Sequence, residues 1–586
     1  MVARLSPRLC HVALITLALF LVAAVLAAPY EVSPGIAQAA GRPKIAPALL
    51  VQMQAGPRQR LPVIVLMKPV NPTPGGNLDQ SQQALAILQA HGQAFGALPI
   101  VNGAAGYANA VEIKAISLLP QVDTIESDAL VGPRRPATPG NPRPTGRLSS
   151  LDVREVNADR ALQRGATGRG IAVAVLDSGV APDRDLTQAG NRLLASVSFA
   201  GTSDPEHPDK GGHGTHIAGT IAGDGSASAG QFVGIARRAN IVSVQVLDAN
   251  GRGRISSVLA GLQWVLLNKD RFNIRVVNLS FGATTPDSYI RDPMAAGAEF
   301  AWRNGLVVVA AAGNTGPARN KVETPGVDPY VITVGSTDDQ LTLSLDDDTL
   351  AWFSGWGTPA NSTPKPDLVA PGRQVVGPRV PASVLDRLFP NHVVTASNGA
   401  KYFRLTGTSM ATAVVSGAAA LVLQRRSDLS PDQVKRALTT STQRFGRVAP
   451  APPPGAAGAG LVDANRSLSG QAGATFSQGH RPADGLLRAL YPALYGQPLQ
   501  LRDGSFVSWL TATWDNIAWD NIAWDNIAWD NIAWDNIAWD NIAWDANGQS
   551  SSVAGDNIAW DNIAWDNIAW DNIAWDNIAW DNLSSD

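Results

Sequence analysis

The chain of 586 residues contains a single cysteine, Cys10. It sits in an N-terminal apolar run, so a chain that sheds the run has no thiol at all, which excludes disulfides and a cysteine nucleophile from its working form. Runs of Lys or Arg and base-stacking modules are also missing, which argues against nucleic acid as a partner and leaves the scattered arginines as a solvated surface. The formal net charge is only -3, but residues 514–586 hold fourteen Asp and no Lys or Arg, leaving 46 basic against 35 acidic residues upstream, a net of +11. An acidic tail therefore follows a mildly basic body. The length exceeds one compact core and predicts several segments.

The first segment, 1–39, reads as an export signal: Arg4 and Arg8 precede an apolar stretch at 12–28, with small-residue cleavage patterns at 25–27 and 37–39. The expectation is a secreted, extracellular protein. The alternative is an uncleaved membrane anchor, since an apolar run of seventeen residues lies at the short edge of a span. Residues 60–132 alternate strand-like and helix-like pieces (LPVIVLM, then LDQSQQALAILQAHGQAF, then YANAVEIKAISLLPQVDTIESDALV), which predicts a small α+β unit. A linker at 133–150, rich in Pro, Gly and Arg, follows.

From 151 to 470, near-continuous apolar runs (IAVAVLD, NIVSVQVLD, RVVNLSF, GLVVVAAAG, YVITVGS) alternate with helical patterns such as ISSVLAGLQWVLLNK. Strands buried on both faces and separated by helices predict a doubly wound, mainly parallel α/β sheet, with its site beyond the strands' carboxyl ends. A further linker at 471–513 leads to the repeat tail at 514–586.

Three segments carry the chemistry: AVAVLDSGV around Asp177, GGHGTHIAGT around His213 and GTSMATAVVSG around Ser409. Taken singly, Asp177 reads as a turn residue and His213 as a histidine in a glycine-flanked turn. Together they are the parts of an activated serine, which needs an imidazole to take its proton and a carboxylate to hold that imidazole. Small residues in HGTHIAG let a helix start directly behind His213, whereas His216, one turn on, reads as structural. Ser409 opens a run apolar nearly all round, hence a buried helix whose positive end faces the hydroxyl. Asn314, in VVVAAAGNTG, is by itself a turn asparagine after Gly313 and, beside the other three, a candidate oxyanion donor.

These segments, in the order Asp, His, Ser, resemble those of the subtilisin-like (subtilase) serine proteases over roughly residues 148–470. The resemblance implies a serine endopeptidase in which Ser409 attacks the scissile carbonyl, His213 moves the proton, Asp177 orients it, and Asn314 with the Ser409 amide holds the oxyanion. It implies that 60–132 is a ferredoxin-like inhibitory propeptide that aids folding, and that cleavage in the linker releases the mature enzyme. Protein or peptide substrates would pair with Ser280, Phe281 and Gly282 on one side and with Gly251, Arg252 and Gly253 on the other, with Ala311, Ala312 and Gly313 as the far S1 wall. Glu323, in KVETPG, aligns with the S1 base, where a carboxylate favours Lys or Arg at P1; a solvated loop glutamate is the competing reading. After GTSMAT the family's usual Pro and His are replaced by Ala413 and Val414, which bears on helix entry rather than chemistry. An insertion at about 378–402 is expected near the primed side of the cleft. No cofactor is required by this chemistry. Relatives bind structural calcium, but no carboxylate set here has convincing ligand spacing, and Asp346, Asp347 and Asp348 read as a solvated turn.

The tail repeats WDNIA every five residues and holds twelve of the seventeen Trp. A period of five turns a helix by 500° per repeat and flips faces in a strand, so no single apolar stripe forms. Across DANGQSSSVAG the Asp spacing is eleven, from Asp545 to Asp556, which breaks the register. The composition predicts a low-complexity, disordered tail; the functional alternative is a multivalent contact with cell surface or polysaccharide. The rival to a zymogen protease is an extracellular adhesion protein, inactive as an enzyme, that displays this repeat.

Overall fold

The computed structural model describes residues 44–68, 80–133, 150–201, 204, 206, 208–283, 289–358, 363–448, 451–473 and 483. The expected export signal, most of both expected linkers and the repeat tail lie outside the described residues.

The smaller body runs β1 (Leu61–Met67), helix Ser81–His91, β2 (Gln93–Leu98), β3 (Gly103–Ala108), helix Ala110–Leu118 and β4 (Val122–Ser127). Its antiparallel sheet has the order β2-β3-β1-β4. β1 buries almost every side chain because helices cover one face and the larger body the other. The helix at 110 starts where the sequence provides a reciprocal cap: the Asn109 side chain accepts from the Glu112 N–H, and Glu112 accepts from the Asn109 N–H. Beyond β4 the chain continues into a two-residue strand, β5 (Leu130–Val131).

The larger body is built on β6 (Ala172–Asp177), β7 (Leu193–Ser198), β8 (Asn240–Gln245), β9 (Gly253–Arg254), β10 (Ile274–Leu279), β11 (Val307–Ala311), β12 (Ile332–Asp338), β13 (Thr349–Leu350) and β14 (Leu368–Pro371). β9 pairs with β5; the others form one sheet in the order β13-β12-β11-β10-β6-β8-β7, with β14 parallel to β12. Every contact along the β7-β8-β6-β10-β11-β12 run is parallel. From β6 the chain first builds toward β8 and β7, then crosses to β10 and builds the other way. The carboxyl ends of β6 and β10 thus flank the point where strand order reverses, which is where a doubly wound sheet opens a crevice.

Two buried helices pack against each other and against the sheet. His213–Ala222 is buried along its whole length, and in Thr408–Arg425 every residue from 408 to 423 is buried. Ala413 and Val414, where the family has Pro and His, lie fully inside the core. Ile64 and Leu66 of β1, Phe95 and Leu98 of β2 and Ile100 in the turn that follows share one apolar core with Leu262, Leu266 and Phe300 of the larger body. The polar rim of this junction is equally specific: Asp128 accepts from the Ser256 N–H at 2.9 Å and its hydroxyl at 2.7 Å. Arg254 donates to the Asp128 carbonyl at 3.0 Å, and Arg291 to the Thr124 hydroxyl at 2.9 Å.

The insertion forms a separate sheet of β15 (Val375–Pro378), β16 (Val393–Thr395) and β17 (Lys401–Leu405) in the order β15-β17-β16. Its N–H groups at Val384 and Leu385 donate to the carbonyls of Lys210 and Gly211, so it braces the turn that leads into His213.

Candidate active site

β6 ends on Asp177, which is fully buried. The His213 imidazole presents Nδ1 to both of its carboxylate oxygens, at 2.8 and 2.9 Å, and the Ser178 N–H donates to Oδ1 at 2.7 Å. Such a carboxylate fixes the tautomer, leaving Nε2 as the ring's free-electron-pair nitrogen. The close approach depends on Gly214, where a β-carbon would sit 2.0 Å from the Gly179 carbonyl oxygen. Burial alone would lower the His213 pKa, but the Asp177 charge and hydrogen bond and the Asp209 charge outweigh it, and the net direction is upward.

Ser409 is the second residue of its helix, at the end where unpaired backbone N–H groups and the helix dipole converge. In this resting arrangement its hydroxyl donates to the Ser280 carbonyl at 2.8 Å, and the Ser280 hydroxyl donates back to the Ser409 carbonyl at 3.0 Å. The Ser280 hydroxyl in turn accepts from Asn278, whose side-chain oxygen accepts from Ser416, so the end of β10 is pinned to the Ser409 helix. Asn314 follows β11, and its Oδ1 accepts from the Thr408 N–H at 2.9 Å and hydroxyl at 3.0 Å. That orientation leaves Nδ2 as the end of the amide facing Gly407, where a β-carbon would be 3.1 Å from it.

An imidazole held by a buried carboxylate, a serine on a helix N-terminus and an oriented amide beside it are the equipment of acyl transfer. The comparison with known proteins agrees. The model of the subtilase family matches residues 168–480. The chain belongs to that family.

Serine protease AprX of Bacillus subtilis (strain 168) is 39% identical over 310 residues, covering 52% of this chain and 67% of that one. A thermostable alkaline protease of Halalkalibacterium halodurans is 32% identical over 356 residues, covering 61% and 80%. Subtilisin BL of Lederbergia lenta is 34% identical over 294 residues, covering 50% and 91%. This subtilase is a serine-type endopeptidase.

Of the segments expected to line the cleft, Ser280, Phe281 and Gly282 follow directly on β10 and all three are buried, Phe281 within the main apolar core. Gly253 belongs to β9, and Gly251 and Arg252 form the turn before it, closed by the Arg252 N–H to Asp248. Ala311 ends β11, Ala312 donates to the Val334 carbonyl, and the Gly313 N–H donates to the Thr408 hydroxyl at 3.2 Å. His216 is bonded elsewhere: its Nε2 faces the carbonyls of Val375 and Phe403, both at 3.1 Å, and burial, then the neighbouring His213, lower its pKa to about 3.

One residue of consequence escaped the sequence reading. Asp209 is buried and accepts four hydrogen bonds: Ser178 Oγ at 2.8 Å and Gly212 N–H at 2.7 Å on Oδ1, Thr215 N–H at 2.8 Å and Thr215 Oγ1 at 2.6 Å on Oδ2. It ties the loop after Asp177 to the turn before His213. Its only sequence signal is its place four residues ahead of the histidine in PDKGGHGTH. The solvated turn expected at 346–348 is half right: the Asp346 side chain is 51% exposed, but Asp348 is buried beside Glu155. Burial first, then the Asp348 and Asp339 charges, push Glu155 well above the usual carboxylate range. Among the described residues no cluster of three or more His, Cys, Asp or Glu is placed to hold a metal ion, and no helix is long and apolar enough to cross a membrane.

Proposed function

We propose that this subtilase hydrolyses peptide bonds through Ser409, His213 and Asp177, and that it is made as a secreted zymogen whose residues 60–132 occupy and inhibit the cleft. The observation that carries the catalytic part is the two-point contact of His213 Nδ1 with the buried Asp177 carboxylate, beside Ser409 at a helix N-terminus. Ser409 Oγ rotates from the Ser280 carbonyl to His213 Nε2, gives up its proton there and attacks the scissile carbonyl. The tetrahedral oxyanion is met by the Ser409 N–H and the Asn314 side-chain amide, a term worth about 3 to 4 kcal/mol per donor. His213 returns its proton to the leaving amine, and water repeats the sequence to free the acyl group.

Substrate binds as an added strand between the edges at 251–254 and 280–282. Support for this comes from β5, which already lies there: Leu130 faces Arg254, Val131 faces Gly253, and Gly132 exchanges hydrogen bonds with Gly282 at 3.1 and 3.3 Å. A chain that fills both edges of its own cleft excludes other substrates. Secretion rests on Arg4, Arg8 and the apolar run at 12–28. A fluorophosphonate probe should label the processed protein covalently and fail on Ser409→Ala; equal labelling of both would sink the proposal.

A further inference from the structure

We propose that the inserted segment 375–405 holds His213 in its working position, and that Arg379 and Asp386 are the positioning residues that lock this brace. This rests on the catalytic reading of His213 above and adds to it the groups that keep the imidazole in line.

The insertion grips the chain on both sides of the histidine. Ahead of it, the short helix Val384–Leu388 turns its first two N–H groups, which have no partner inside a helix, onto the turn at 210–212. Val384 donates to the Lys210 carbonyl at 2.8 Å and Leu385 to the Gly211 carbonyl at 3.2 Å. The next residue, Gly212, has φ +91°, and a β-carbon on it would stand 2.6 Å from Ser383 Oγ, so the turn is seated directly against the start of that helix. Behind the histidine, β15 lies along the helix His213–Ala222. A β-carbon on Gly377 would be 2.9 Å from the His216 ring, and one on Gly219 would be 2.0 Å from the Pro378 ring. His216 Nε2 also faces the carbonyls of Val375 and Phe403. Residues 210–212 and 216–219 are thus both held by the insertion, and His213 stands between them.

The lock is the second observation. Arg379 and Asp386 meet in a two-point fork, Nε to Oδ1 at 2.6 Å and Nη2 to Oδ2 at 2.8 Å, the geometry in which a guanidinium fixes a carboxylate's direction as well as its distance. Asp386 Oδ2 also accepts from the Ala382 N–H at 2.9 Å, and Arg387 donates to the Ala382 carbonyl at 2.7 Å. Ala382 sits at φ +61°, a conformation that a residue with a β-carbon keeps only where its surroundings impose it. The Ser383 hydroxyl closes the loop by accepting from the Asp386 N–H at 3.2 Å. Together these contacts fix where the two free N–H groups of Val384 and Leu385 point. None of them involves the substrate edges at 251–254 and 280–282 or the oxyanion donors. Loosening the lock therefore lets the imidazole drift from the line between Asp177 and Ser409 without altering how substrate docks.

Val384→Pro tests this with the least disturbance. Val384 is the first residue of its helix, a place that suits proline, and Ser383 before it has φ −64° and ψ 167°, the extended conformation that proline requires of its predecessor. The change keeps the helix and removes only the N–H that reaches Lys210. Variants are made in the full chain, and fluorophosphonate labelling counts active sites, so that kcat per labelled site is separated from any loss of folded protein. The expected results are a kcat about three- to tenfold lower, KM within about twofold of wild type, and thermal inactivation no earlier than in wild type. Arg379→Gln and Asp386→Asn should each lower kcat by a similar factor, the double variant no further than either alone, and Arg379→Lys should recover part of the loss. An unchanged kcat in Val384→Pro, a rise in KM with kcat intact, or losses that multiply in the double variant overturn the inference and leave the hydrolase reading standing. An unaltered enzyme that takes no label overturns both.

Discussion

Asp209→Asn is the most informative single change outside the proposed triad, because two effects on different observables are expected from it. The carboxylate accepts four hydrogen bonds, two per oxygen. An amide of the same shape keeps one pair and turns its NH2 on the other. The hydroxyl in the abandoned pair can reorient and accept, but the backbone N–H, Gly212 or Thr215, cannot. One orphaned buried N–H costs about 1 to 3 kcal/mol, and the surviving bonds lose their charge assistance, so the total is roughly 2 to 4 kcal/mol. Thermal inactivation should move down by roughly 5 °C or more. The second effect is electrostatic. The Asp209 charge helps hold the His213 pKa above its ordinary value, so neutralising it lowers that pKa. Because His213 must be neutral to accept the serine proton, activity is present above its pKa and lost as pH falls through it. The acid limb of kcat/KM should therefore shift to lower pH in the variant, while the plateau drops because the Gly212 turn is loosened. A profile of kcat/KM from about pH 4.5 to 9 reads this directly. An acid midpoint that stays put or rises, or stability within about 0.5 kcal/mol of wild type, would refute the reasoning.

Asn314→Ala should lower kcat by about 10² to 10³ with KM little changed, since the donor acts on charge absent from the ground state; a pure KM effect would count against it. Asp177→Asn should cost about 10⁴ in kcat by releasing the imidazole tautomer, checked by steady-state rates at a pH above the acid limb. Asp367→Ala removes the carboxylate that meets two buried ammoniums, Lys365 at 2.7 Å and Lys435 at 2.9 Å. It should destabilise the larger body by about 3 to 5 kcal/mol, read as a shortened half-life on heating, while Ser409 labelling per folded molecule persists.

Where burial dictates composition, the fold could be read in advance. The strands β6 and β11 are buried along their whole length, and apart from the terminal Asp177 they are written in Val, Leu and Ala. The helix behind Ser409 is apolar all round for the same reason. Asp177, His213, Ser409 and Asn314 each stand at an element end, where a break in the apolar run marks them. Asp209 carries no such mark: an acid in a glycine-rich loop reads as solvated, and only the fold brings Ser178, Gly212 and Thr215 around it. β5 left no trace either. Two residues have no period to detect, and its partners lie more than a hundred positions further along the chain.

The junction between the two bodies changes what cutting the linker means. On the small body's side its apolar core, the Asp128 bonds to Ser256, the contacts to Arg254 and Arg291 and the pairing of β5 are all made by residues ahead of the 133–150 linker. Breaking one bond downstream removes none of them. Being cut and being let go are then two events on two clocks, and the slower is set by how long the severed piece stays seated. A shift in mass should come first and activity later, with the lag shortened by anything that digests or unfolds the small body from outside.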